Sequence, residues 1–173
     1  VTYHGHINVR EAKLYTRPAI KPRLVCAALT DETAEWAGGW ADGLLTTSGT
    51  TEQVKKKISL FRDKAGNKPV YLQHSFSYHP SREKAIDGAY DQWRSIQGSQ
   101  DQLAEFSTVK QFDENGEKVS REDVEKNTNI ITDIDQLKEQ VHSLWQTGVN
   151  RIVLHNLNRE QERFIGDFGK KFF

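Results

Sequence analysis

Residues 24–47 read Leu24-Val25-Cys26-Ala27-Ala28-Leu29-Thr30-Asp31-Glu32-Thr33-Ala34-Glu35-Trp36-Ala37-Gly38-Gly39-Trp40-Ala41-Asp42-Gly43-Leu44-Leu45-Thr46-Thr47. A short apolar run, Leu24 to Ala28, predicts a strand buried on both faces. Hydroxyl and acidic residues then open a helix at Thr30-Asp31-Glu32-Thr33, whose apolar side carries Ala34, Trp36, Ala37 and Trp40. Gly43 to Thr47 is a second strand, so the stretch is one strand–helix–strand unit.

The same grammar continues outward. Ser48-Gly49-Thr50-Thr51 is a polar turn that can cap a helix, and Val54, Ile58, Phe61 and Ala65 follow as a helical stripe closed by Gly66-Asn67. Pro69 to Phe76 is a third strand, and a helix from about Arg82 to Ile96 places Ala85, Ile86, Ala89, Tyr90 and Trp93 on one side. From Gly98 to about Thr132 periodicity is weak, with Asp113-Glu114-Asn115-Gly116 read as a turn. A connection of that length is expected to be a lid-like excursion with some helix of its own. Ile134, Leu137, Val141, Leu144 and Trp145 then make an amphipathic helix. Arg151 to His155 is a fourth strand, and Arg159 to Phe173 a last helix. Upstream, residues 1–22 alternate and end in Pro18 and Pro22, which predicts extended strands or a hairpin.

Four strand-then-helix units in succession specify an α/β segment, residues 1–173, with a parallel sheet and covering helices. Either a doubly wound sheet or a (β/α)8 TIM barrel has that grammar, and four units are half of a barrel. In both, function collects where strands end and helices begin.

Composition narrows the function. The 24 basic and 24 acidic residues give zero net charge, against a general nucleic-acid or membrane-surface binder. A single cysteine, Cys26, excludes an intrachain disulfide and fits a reducing, cytoplasmic setting. No run approaches the ~18 apolar residues of a membrane span, and nothing at the start reads as a signal peptide. The chain contains no methionine, which fits a segment of a longer or processed protein.

At the first strand end, Thr30 and Thr33 could join the helix N-terminus in holding a phosphate, or Thr30 could only cap its own helix. Asp31 and Glu32 would repel a phosphate unless they point away. Thr46 to Thr51 carries five hydroxyls and a glycine and reads as a ligand-binding turn or a solvated one. There is no G-x-G-x-x-G fingerprint and no Walker-type loop. Of six histidines, His4 and His6 form a same-face pair without a third ligand, so no metal is expected. His142 reads as a surface residue. His74 and His155 fall near strand ends and, with Gln73, are candidates to line a pocket as donors or acids, or to pack with one hydrogen bond each. Cys26 lies inside a strand without a partner base, and Lys55-Lys56-Lys57 reads as solvated surface charge.

Pro22 to Thr47, with its Ala-Ala strand end, Thr-x-x-Thr-x-Glu-Trp-Ala helix start and Asp42-Gly43, resembles the bacterial luciferase-like monooxygenase superfamily. Ala12 to Pro18 and Leu154 to Ile165 are similar to the branch holding deazaflavin-dependent glucose-6-phosphate dehydrogenase and its non-deazaflavin relatives. The resemblance implies a (β/α)8 barrel about twice as long, of which this chain is the second half, strands five to eight. It also implies a flavin phosphate site at Ala28, Leu29, Thr30 and Thr33, and a cofactor- or substrate-facing strand end at Thr47 and Ser48. The 98–132 region falls near the place of a substrate-covering excursion. Two departures stand out: Leu29-Thr30 replaces small residues usual in deazaflavin enzymes, and Thr50 replaces a lysine of the sugar-phosphate dehydrogenases. Both point to FMN rather than the alternative, coenzyme F420, and away from glucose 6-phosphate. The expected function is thus part of a flavin-dependent oxidoreductase or monooxygenase acting on a small molecule, with the catalytic residues mostly upstream. The alternative of another class is a non-catalytic half-barrel that binds a ligand without turnover. An isolated half-barrel has two unpaired sheet edges, so a homodimer is expected.

Overall fold

The computed structural model describes residues 1–172. Its parallel sheet runs in chain order through β1 (Val25–Ala27), β2 (Gly43–Thr47), β3 (Val70–Tyr78) and β5 (Arg151–Asn156), with Leu45 beside Tyr71 and Gln73 beside Val153. A two-residue strand, β4 (Ile130–Ile131), pairs with the last residues of β3. The N–H groups of Ser77 and His79 donate to Asn129 and Ile131, while the Gln73 carbonyl accepts from Ser48. Those odd-numbered groups share one edge of β3, so β4 lies on the β2 side, beyond the end of β2.

Helices α1 (Asp31–Gly38), α2 (Thr51–Ala65), α7 (Ile134–Trp145) and α8 (Gln161–Phe172) cover one face of the sheet, each touching the next. They form because capping and patterning agree. In α2, Thr50 and Gln53 make a capping box, Val54, Ile58 and Phe61 are buried, and Gly66 ends the helix at positive φ. The core lies between these helices and the even-numbered residues of β3: Val70, Leu72, His74, Phe76 and Tyr78 are all buried. Phe76 packs edge-on against Phe164 of α8, with ring centroids 5.2 Å apart.

The other sheet face carries Val25 and Ala27, Leu45 and Thr47, Tyr71, Gln73 and Ser75, and Arg151, Val153 and His155. Val25 and Val153 are 43% and 44% exposed. A parallel sheet normally has both faces covered, whereas here the helices cover one.

Several expectations are corrected. Residues 1–22 contain no strand beyond a single antiparallel bridge between Tyr3 and Val9. The first strand is not buried on both faces, because only its Cys26 side meets the helices. Asp113 to Gly116 is not a turn but lies inside α5 (Val109–Lys118), whose start is set by a Thr108–Gln111 capping box. The helix after β3, α3 (Arg82–Trp93), does not cover the sheet's helical face, where α7 takes that place. Instead α3 packs on β4, the end of β3 and α6 (Arg121–Asn127). With α4 (Gln100–Ala104) and α5 it belongs to the excursion between β3 and α7. Ser77 donates to the Ala85 carbonyl at 2.6 Å, and Asn158 after β5 donates to the Lys84 carbonyl at 3.0 Å. Gly88 fits there because a Cβ would strike the Asn158 amide. Among the described residues no helix is long and apolar enough to cross a membrane.

Candidate functional site at the strand ends

Three polar groupings stand along the C-terminal edge of the sheet. At the end of β1, Ala28 is buried and extends the ladder by donating to the Leu45 carbonyl, whereas Leu29 is exposed. The Thr30 hydroxyl accepts from the Thr33 N–H at 3.2 Å and lies 3.0 Å from the Thr33 hydroxyl, so Thr30 caps its own helix. The cap leaves the N–H groups of Asp31 and Glu32 as first-turn donors with no intrahelical acceptor. Asp31 is turned to Lys56 of α2 at 2.7 Å, whose ammonium holds its carboxyl below the usual carboxylate range. That pairing turns the Asp31 carboxylate aside, while Glu32 stays exposed in the same first turn.

The second grouping starts at β2. Thr46 is buried in the helical face and its Oγ1 has no hydrogen-bond partner among the described residues, while Thr47 is exposed on the open face. Ser48 Oγ pairs with His74 Nδ1 at 2.9 Å, and His74 Nε2 pairs with Gln140 Oε1 of α7 at 3.0 Å. Asn129, just before β4, donates to the same Gln140 oxygen at 2.8 Å. Burial pushes the His74 imidazole below its ordinary pKa, and the Gln140 contact opposes this only in part. His74 is thus a neutral imidazole tying the β2–α2 turn, the excursion and α7 together. A cleft of about 620 Å³ opens beside it, lined by Ser48, Ser75, Asn129, Gln136, Glu139 and Ser143 among others and, among the described residues, by no lysine or arginine.

The third grouping is on the open face. His155 Nδ1 lies 3.2 Å from Ser75 Oγ and 3.3 Å from Gln73 Nε2, and Gln73 Nε2 also donates to Ser75 Oγ at 3.3 Å. Trp93 of α3 stands edge-on to the His155 ring at 5.9 Å, and a second cleft of about 600 Å³ opens between them and the β5–α8 turn.

Ser48 with His74, and Gln73 with His155, are therefore brought together; Thr30 and Thr33 lie two strand spacings from β3, roughly 10 Å. Gln73 and His74, adjacent in sequence, serve opposite faces. Ser75, Trp93, Asn129 and Gln140 are partners that sequence reasoning missed. Ser75 carried a signal, being two residues from Gln73 and so on its face. Asn129 and Gln140 carried none, since only the tertiary fold brings them to His74. His4 makes one local contact, to Asn8, and among the described residues no group of three or more potential metal ligands converges.

Taken together, the open face has an apolar floor of exposed Val25 and Val153 with half-buried Leu45, a rim of polar side chains, and a helix start at one end. The model of the luciferase-like monooxygenase family matches residues 1–151. An F420-dependent glucose-6-phosphate dehydrogenase of Amycolatopsis mediterranei is 26% identical over 92% of this chain and 50% of its own length. A second, from Kribbella flavida, is 25% identical over 91% of this chain and 50% of its own. An F420-dependent secondary alcohol dehydrogenase, solved with an F420-acetone adduct, superposes with TM-score 0.78 at 20% identity, covering 98% of this chain and 54% of its own. An EDTA monooxygenase from a Chelativorans species superposes with TM-score 0.58 at 14% identity, covering 98% and 48%. The chain spans about half the length of the curated relatives it matches. The expectation of FMN gains no support from these relatives, whose names match the deazaflavin alternative.

Proposed function

The chain belongs to the luciferase-like monooxygenase family, and from that premise we propose that it is half of a (β/α)8 oxidoreductase barrel that uses the deazaflavin coenzyme F420. Strands β1, β2, β3 and β5 correspond to barrel strands five to eight. Their open face is the barrel interior, and the unpaired edges at β1 and β5 are closed by the barrel's other strands. The carrying observation is that open face, apolar at its floor and polar at its rim, in a fold whose ligands gather at the strand C-termini.

When bound, a deazaflavin supplies hydride transfer, and the protein supplies binding, orientation and electrostatics. The start of α1, with Ala28, Leu29, Thr30 and Thr33 around it, would hold the anionic end of the cofactor through the Asp31 and Glu32 N–H groups. Thr47, Gln73 and His155 would face its ring region. Ser48 is held by His74 and orients the β2–α2 turn at the rim. Among the described residues the cleft beside it offers neutral polar groups and the Glu139 carboxylate to a substrate.

Titrating the full-length protein with coenzyme F420 and, separately, with FMN tests this reading. Saturable perturbation of the deazaflavin absorbance, with none for FMN, is the expected outcome. FMN binding without deazaflavin binding would overturn it. Light scattering on the same sample tests whether the full-length protein is a homodimer.

A further inference from the structure

We propose that His155 is held as the neutral Nε2–H tautomer and donates a hydrogen bond from Nε2 to a carbonyl-type oxygen of the ligand on the open face. The inference rests on the cofactor reading above for its ligand, but its first half concerns the chain alone. Gln73 Nε2 is a donor only, and it reaches both Ser75 Oγ and His155 Nδ1 at 3.3 Å. Because the Gln73 amide already offers Nδ1 a proton, that nitrogen accepts, and the Ser75 hydroxyl 3.2 Å away turns its own proton to it. Two donors converge on Nδ1, so Nδ1 is the acceptor and the ring proton sits on Nε2. Such chains of donors reinforce one another and fix the ring's orientation.

Register places the ring on the open face. His155 is opposite Ser75 across the β3–β5 pair, beside Val153 and above the exposed floor. Trp93 stands edge-on to the ring and limits its swing. Nε2 makes no hydrogen bond among the described residues, and the residue is exposed at the mouth of the cleft near the β5–α8 turn. A ring whose far nitrogen is locked by two donors, and whose near N–H is free at a ligand face, is a positioned donor for an oxygen lone pair. It cannot serve as a base from that nitrogen, because Nε2 already carries its proton. The acceptor is a carbonyl or developing alkoxide oxygen, belonging either to the deazaflavin ring or to the substrate.

Ring-nitrogen NMR of histidine-labelled full-length protein tests both halves, with His155→Gln identifying the His155 signals. In the ligand-free protein the shifts should report a protonated Nε2 and an unprotonated Nδ1, and Ser75→Ala should mix the tautomers. The reverse tautomer, which a Gln73 amide turned the other way would impose, overturns the proposal. A move of the Nε2 signal with coenzyme F420 alone assigns the acceptor to the cofactor. A move only on adding acetone to that complex assigns it to the substrate. No movement in either case overturns the donor role. His155→Phe should weaken binding of the assigned ligand roughly tenfold, and His155→Gln, which keeps an N–H, should restore most of it. Deazaflavin absorbance in the same titration separates the readings. A bound cofactor with a silent Nε2 sinks the donor alone, whereas an unbound cofactor sinks the cofactor reading.

Discussion

Thr46→Val should make the protein more stable. Thr46 lies on β2 with its side chain in the helical face, between Leu44 in its own strand and Leu72 in register on β3, both fully buried. It is 1% exposed, and its Oγ1 meets no donor or acceptor among the described residues. An unmet buried hydroxyl costs about 1–3 kcal/mol of desolvation. Valine keeps the β-branched shape and puts a methyl where the hydroxyl was. The expected gain is about 1–2 kcal/mol, or roughly 3–6 °C in Tm for a protein of this size. Urea unfolding should show a higher midpoint at unchanged slope. Thr46→Ser is the control: it keeps the unmet hydroxyl, loses a methyl, and should lower stability by about 1 kcal/mol. An unchanged or lowered midpoint for Thr46→Val would mean that the hydroxyl is satisfied in solution and would refute the reasoning.

Burial holds the folded-state pKa of His74 below its ordinary 6.5. The unfolded chain therefore takes up a proton first, and His74 lowers stability as pH falls through 6.5 toward the folded value. His74→Gln removes that dependence, so wild type should lose stability relative to the variant between pH 7.5 and 5. A constant difference across that range speaks against a neutral buried imidazole. Tyr78 shows the opposite window: burial, with the Asp167 contact at 3.0 Å, pushes its phenol up to about 12. The unfolded phenol ionises near 10, so stability should fall above that pH in wild type and not through this group in Tyr78→Phe, as unfolding between pH 9 and 11.5 would read. Gly88→Ala should push Asn158 from the Lys84 carbonyl, at a cost of about 1–3 kcal/mol. Limited proteolysis should then cut the excursion faster than the sheet and its covering helices; uniform resistance would count against that seat.

Much of this architecture is legible in the chain because local signals and the tertiary fold agree. Each apolar run ending in hydroxyl residues became a strand followed by a helix, and Thr30 and Thr50 cap where their patterns place them. The excursion was not legible, since its order comes from contacts distant in sequence. Asn115 sits inside α5 because its amide donates to the Ser95 and Gln97 carbonyls, overriding a turn-like composition. The exposure of β1 was also hidden. Val25 and Cys26 read alike as sequence, but only Cys26 faces helices, and no composition tells which layer is present.

The two strand-end histidines show how one residue of register divides the work of the site. His74 and His155 read as equivalents, each at the end of an apolar strand. Side chains alternate across a strand, so Gln73 and Ser75 share the open face while His74 points to the helices. There both of its nitrogens are consumed, by Ser48 and Gln140, and burial keeps it neutral. A group with no free donor or acceptor and little access can only position its neighbours. His74 therefore fixes Ser48 at the rim and, through Gln140, the Asn129 root of the excursion. His155 has the complementary arrangement, with one nitrogen locked and the other free on the face where a ligand would lie. It follows that loss of His74 should loosen the rim and excursion together, whereas loss of His155 should leave the fold unchanged and be felt by the ligand.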